Sequence, residues 1–112
     1  MKWEDVASAV RARVMHRGAG FESDDLQHVV ACDLMSDVLV ADHHGHLLVT
    51  SLASDQAVRT ADIVGAAGVL VVNGKPLPAS MSRLAQELNL TLMQSAEPKF
   101  EACVALGRRM NP

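Results

Sequence analysis

The chain has 112 residues, 49% of them hydrophobic and 21% charged, which fits one globular domain and excludes a disordered chain or two full domains. Its formal net charge of -3 gives no global attraction to nucleic acid or to an anionic lipid surface. Apolar runs of four or five residues are too short to cross a bilayer, so neither nucleic acid nor membrane is an expected partner. The aromatic residues are Trp3, Phe21 and Phe100, so the core must come from Val, Leu, Ala and Met. That suits nucleic-acid binding poorly, because single-strand binders rely on aromatic stacking platforms. The start, MKWEDVASAV, lacks the apolar segment of a signal peptide, and a cytoplasmic address is the expectation. Cys32 and Cys103 are far apart in sequence with no CxxC, which suggests two buried thiols and leaves a disulfide open.

In chain order, Trp3, Val6, Val10 and Val14 fit one long helix. The alternation of Ala12, Val14 and His16 with Arg11, Arg13 and Met15 fits instead a shorter helix followed by a strand. Gly18 to Asp25 is a polar loop, and Val29 to Cys32 reads as a strand. Val38 to Ala41 is either a strand with a hairpin turn at Asp42 to His46, or the back of a short helix after Asp33. His46 to Ser51 is a short apolar run with β-branched residues, expected as a buried strand. Ser54 then supplies an N-cap and Asp55 a first-turn acid, ahead of a stripe at Ala57, Ala61 and Val64. Gly68 is expected to stop that helix, and Val69 to Val72 reads as a central parallel strand. After the Asn73-Gly74 turn, Pro78 suits a first helical position, with Met81, Leu84, Ala85 and Leu88 at helical spacing. Asn89 ends the helix and Leu90 to Met93 forms the next strand. Pro98 opens a last helix with Phe100, Cys103, Val104 and Gly107 on one face and Arg108 and Arg109 in its last turn. Alternating strands and helices predict an α/β fold, a mostly parallel β-sheet sandwiched by helices.

The run Asp33-Leu34-Met35-Ser36-Asp37-Val38 resembles the SDLLSDV signature of small stand-alone DRTGG-domain proteins. The segments LLVTS at 47–51, SDQAVRTADIVGAAGVLVVNGKPLP at 54–78 and LNLTLMQSAEPKFEA at 88–102 are similar, in order, to the strands, helices and Gly turn of that family. The resemblance spans nearly the whole chain and implies a single domain over 1–112. It also implies a helix to about Val10 followed by a strand, and a short helix rather than a strand within 34–41. The positions matching the family's Asp-Arg and Thr-Gly-Gly are Asp55-Gln56 and Val72-Asn73-Gly74. Asp55 and Gly74 are kept, while Gln56 replaces the Arg and Val72-Asn73 replaces the Thr-Gly pair. The family's use of the module, fused to phosphotransacetylase or to nucleotide-sensing pyrophosphatases, implies a regulatory role without catalysis and assembly as dimers.

The remaining motifs supply no reaction. His43, His44 and His46 beside Asp42 are residue types that suit zinc, copper or nickel, but neighbouring side chains diverge. A solvated turn is expected there and no metal is assigned. Asp33, Asp37 and Asp42 could form a carboxylate set, with Asp33 and Asp37 on one helix face; an N-cap at Asp33 and a surface acid are the plainer expectation. Ser36 has no evident base, His16 and His28 read as partly buried strand residues, and Cys103 as a core thiol. There is no P-loop lysine and no GxGxxG. No catalytic residue, enzyme activity or cofactor is expected.

Open parallel sheets bind ligands beyond the carboxyl ends of their strands. Those ends carry Ser51, Ser54, Asp55, Asn73 and Gly74, the predicted ligand site, where free N–H groups at a helix start would favour a phosphate or carboxylate. Ser54 acting only as a cap is the competing expectation. The functional expectation is a ligand-sensing regulatory module that takes a nucleotide or other anion and acts through a partner protein. A structural homodimerisation domain and, further off, a small metal-dependent enzyme are the alternatives. A homodimer is expected in either of the first two cases, with residues 33–41 as the preferred interface.

Overall fold

The structure is a computed structural model that describes residues 1–112. It consists of α1 (Trp3–Val10), β1 (Arg13–His16), β2 (Val29–Ala31), α2 (Met35–Val38), β3 (Leu47–Thr50), α3 (Asp55–Ile63), β4 (Gly68–Val71), α4 (Ala79–Glu87), β5 (Thr91–Gln94) and α5 (Lys99–Met110). One five-stranded sheet runs β1-β5-β4-β3-β2. β2, β3, β4 and β5 are parallel in sequence order, and β1 joins β5 antiparallel with a register shift between Val14 and His16. This is the α/β architecture expected, with β4 at the centre. The short helix after Asp33 and the break between α1 and β1 also follow the family-derived expectation. No helix is long and apolar enough to cross a membrane.

Strand order and layering have one cause. Each parallel strand is laid beside its predecessor, and crossovers of constant hand put their helices on the same face. Leu48, Val69, Val71 and Leu92 accordingly face α2, α3 and α4 through Met35, Val38, Ala57, Ala61, Met81 and Leu84. The alternate residues Leu47, Val49, Leu70, Val72 and Met93 point to the other face. There α1 and α5 cover them with Trp3, Val6, Val10, Ala102 and Leu106. The Trp3 indole N–H donates to Asp24 Oδ2 at 2.9 Å, so its polar edge is satisfied while the ring is fully buried.

Several boundaries differ from the sequence reading. α3 ends near Ile63 and turns at Gly65, with φ of 72°, while Gly68 is the first residue of β4. Pro78 and Pro98 are extended N-cap residues rather than first helical residues. On α5 the buried stripe is Ala102 and Leu106, and Phe100 is 74% exposed. Cys103 and Cys32 are half-buried free thiols. They pack on opposite faces of the sheet, which excludes a disulfide between them.

Candidate functional site

The carboxyl ends of β2, β3, β4 and β5 open on one edge of the sheet, and two charged side chains meet there. Asp33 lies two residues beyond the end of β2, after Cys32, and Lys99 is the first residue of α5. Their side chains form an ion pair. The Asp33 carboxylate also accepts the Ser51 backbone N–H at 2.7 Å, the Ser51 hydroxyl at 2.8 Å and the Thr50 hydroxyl at 3.0 Å. Lys99 Nζ lies 3.4 Å from Ser51 Oγ. Four donors from β3, the residue after it and α5 therefore converge on one carboxylate. Partial burial pushes the Asp33 pKa up, but Lys99, the Ser51 N–H and the two hydroxyls together hold it well below the ordinary carboxylate value.

That balance fixes a pH dependence. The folded state binds fewer protons at Asp33 than the unfolded chain does, so the stabilisation is complete above the ordinary value of 3.8 and is lost as pH falls below it. The side chain is 43% exposed, and solvent screening limits the contribution to about 1 kcal/mol or less. Asp33→Asn should lower stability at neutral pH by that amount and flatten the acid limb of a stability curve measured by urea unfolding between pH 2 and 7.

The predicted site residues divide into two groups. Ser51 and Asn73 come together through Lys99. Asn73, at φ of 67°, accepts the Lys99 backbone N–H on Oδ1 at 2.9 Å and so caps α5. The Asn73 and Gly74 N–H groups donate to Glu97 and Ser95 carbonyls at 2.9 and 3.0 Å, which binds the turn after β4 to the segment after β5. Ser54 and Asp55 are engaged elsewhere. Ser54 Oγ accepts the Gln56 N–H at 3.1 Å as the α3 cap, and Asp55 accepts the Ser80 hydroxyl at 2.8 Å. Every polar group of the predicted set with an assigned bond is thus spent within the protein, and the Lys99 ammonium that meets it is already paired.

Other candidates are placed differently from the sequence reading. Asp33 caps no helix, since Leu34 is the N-cap of α2, and it shares no helical face with Asp37. The exposed Asp37 and Asp42 join it in no ligand cluster. His28 is an exposed residue ahead of β2 rather than a partly buried strand residue, whereas His16 is half-buried at the end of β1 with Nδ1 3.1 Å from the Leu90 carbonyl oxygen. His43 is half-buried, His44 exposed and His46 fully buried, so the His tract is not a uniformly solvated turn. Burial pushes the Cys103 thiol up, against a smaller opposing pull from Lys99. Sequence reading missed Lys99. The available signal was a lone basic residue directly after a proline, at the start of a helix that follows a parallel strand.

No family model and no curated protein matches the chain in sequence. In three dimensions the chain is similar to the crystal structure of the CBS and DRTGG domains of the regulatory region of Clostridium perfringens pyrophosphatase, solved with its activator diadenosine tetraphosphate. The TM-score is 0.80 at 11% sequence identity, over 94% of this chain and 45% of that one. The chain therefore spans less than half of that regulatory region and shares with it a DRTGG-like α/β fold.

Proposed function

We propose that this domain is a regulatory module without turnover of its own, which binds an anionic small molecule of the nucleotide class at the carboxyl edge of its sheet. The observation that carries the reading is the convergence of Lys99, the Ser51 N–H and hydroxyl and the Thr50 hydroxyl on one negatively charged group. That donor set is of the kind that holds a phosphate oxygen. Here the Asp33 carboxylate fills it, acting as a competitor carried by the protein itself. The likeness to a regulatory region crystallised with an adenine dinucleotide supports the ligand class. Gln56 lacks the cation that the family resemblance would place at the start of α3, and an incoming anion must displace Asp33. Affinity should therefore be weak, with Kd on the order of tens of micromolar or poorer.

Calorimetry with ATP, ADP and diadenosine tetraphosphate tests this. Ser51→Ala should weaken binding and Lys99→Met should abolish it. Gln56→Arg and Asp33→Asn should each strengthen it severalfold, the second because the competitor loses its charge. An absence of heat at millimolar ligand from wild type, Gln56→Arg and Asp33→Asn alike would remove the sensing reading.

One observation favours a structural homodimer as the second reading. Leu34, Leu39 and Val40, in and beside α2, are 60%, 50% and 79% exposed. Apolar side chains gathered on one segment suit a two-fold contact through residues 33–41 and equally a protein partner. Light scattering should give twice 12.0 kDa at high micromolar concentration, and Val40→Asp should return the monomer.

A further inference from the structure

Four of the five histidines gather at the amino edge of the sheet, opposite the Asp33–Lys99 pair. They come from the residue before β2 and from the turn before β3. The exposed His28 ring stacks on half-buried His43, with centroids 4.4 Å apart and planes 20° apart. His43 in turn meets fully buried His46 edge-on at 6.3 Å. Three imidazoles thus form a file from solvent to interior. Neither ring nitrogen of His46 makes a well-formed hydrogen bond, its nearest polar neighbour being the His43 backbone. A buried polar group left unpaired in this way calls for a physical reason.

The backbone around the file shows what it controls. The His46 carbonyl accepts the Ala67 N–H at 2.8 Å, and the Gly45 N–H donates to the Gly65 carbonyl at 2.7 Å. The His28 carbonyl accepts the Leu47 N–H at 3.0 Å. The turn over residues 42–46 therefore joins the entry of β2 to the entry of β4. His44 lies over Gly65, where a Cβ would come within 2.9 Å of its Nδ1.

The charges facing His46 are uniform in kind. From the segment before β2 it faces His28, and from its own turn His43 and His44. The connection after α3 contributes Gly65, Ala66 and Ala67, none of them titratable. Asp42 and Asp62, the acids of the adjoining segments, form no ion pair with any histidine, and residues 26–50 and 60–74 contain no Lys or Arg. The imidazoles do not converge as a metal-ligand set.

We propose that the His28–His43–His46 file is a proton-operated latch, closed while the buried His46 is neutral and opened, by release of the 42–46 turn from the sheet, when His46 gains a proton. Burial pushes the His46 pKa below its ordinary 6.5, and His43, His44 and His28 push it further, outweighing an opposing contribution from the His43 backbone. The closed state then binds fewer protons than the open one below pH 6.5, and closure weakens as pH falls through that window. One linked proton gives up to about a tenfold rise in the opening constant per pH unit.

Amide hydrogen exchange of the wild type between pH 5 and 7.5, corrected for intrinsic rates, reads this directly. Gly45, Leu47 and Ala67 should lose protection approaching tenfold per pH unit below about pH 6.5, while Leu106 in α5 keeps its protection. His46→Leu, which fills the site without a titrating group, should make the same amides insensitive to pH. A flat wild-type profile, or a dependence that survives His46→Leu, overturns the latch. Should that variant fail to fold, the imidazole proton shifts of the wild type decide the matter. His46 titrating below 6.5 supports the latch, and His46 titrating at 6.5 or higher overturns it. Protection of these amides by added zinc at pH 7.5 would assign the cluster to metal and overturn it as well.

Discussion

Leu70→Asp should abolish the cooperative unfolding transition and leave a chain without near-UV signal at 25 °C. Leu70 is fully buried in β4, the central strand, among Trp3, Val49, Val72 and Met93. An aspartate there would have its carboxylate on an apolar face with no cation to pair it. Leaving a charge unpaired in such a place costs about 3–5 kcal/mol, to which the lost Leu packing adds about 2–5 kcal/mol. Domains of this size are stable by only about 5–15 kcal/mol. Leu70→Ala separates the two contributions: it should lower stability yet retain a cooperative transition in urea. If Leu70→Asp melted like Leu70→Ala, β4 would not lie where the structure puts it.

The second large effect is expected from the smallest possible substitution. Gly68 opens β4 opposite Thr91 of β5. A Cβ there would collide with the Thr91 carbonyl oxygen and lie 2.7 Å from the Trp3 ring. The carbonyl belongs to the paired strand, so relief requires β4 and β5 to part, while the Trp3 ring additionally requires α1 to lift. Gly68→Ala should cost about 3 kcal/mol, at the upper end of ordinary overpacking. Adding Trp3→Phe removes the clash with the ring but not the one with the backbone, so the double variant should recover none of the loss. Recovery in a double-mutant cycle of urea unfolding would show that Trp3 alone sets the limit.

These two positions also mark how far sequence reaches. Val69 to Val72 reads as a central strand from composition alone, because only a strand covered on both faces is apolar at every position. Gly68, by contrast, reads as a helix stop, since glycine serves turns and close approaches alike. Its role is decided by Trp3, 65 positions earlier, and by Thr91 across the sheet. The same limit holds at the candidate site. Ser51 and Asn73 follow from the rule about strand ends, whereas the Asp33 cradle joins residues 33, 50, 51 and 99, whose meeting depends on the finished topology. Phe100 was misplaced because α5 carries small and apolar residues around much of its surface, so helical spacing offered more than one stripe. His46 has two readings in the sequence, as the first residue of the buried run His46 to Ser51 and as part of a solvated His tract, and its full burial upholds the first.

The pairing of α1 with α5 carries a consequence for chain order. Arg109 of α5 reaches back to α1, 3.7 Å from Asp5 and 3.2 Å from Ser8. The first helix and the close of the last thus lie side by side on one face, which makes a join across them geometrically natural. All four strand pairings and both buried layers are indifferent to where a chain so joined is cut, provided the cut falls in an exposed connection such as Lys75–Pro76. A circularly permuted chain joined across α1 and α5 and opened at Lys75–Pro76 should therefore keep the wild-type unfolding transition in urea, and loss of that transition would show that this connection is needed for folding.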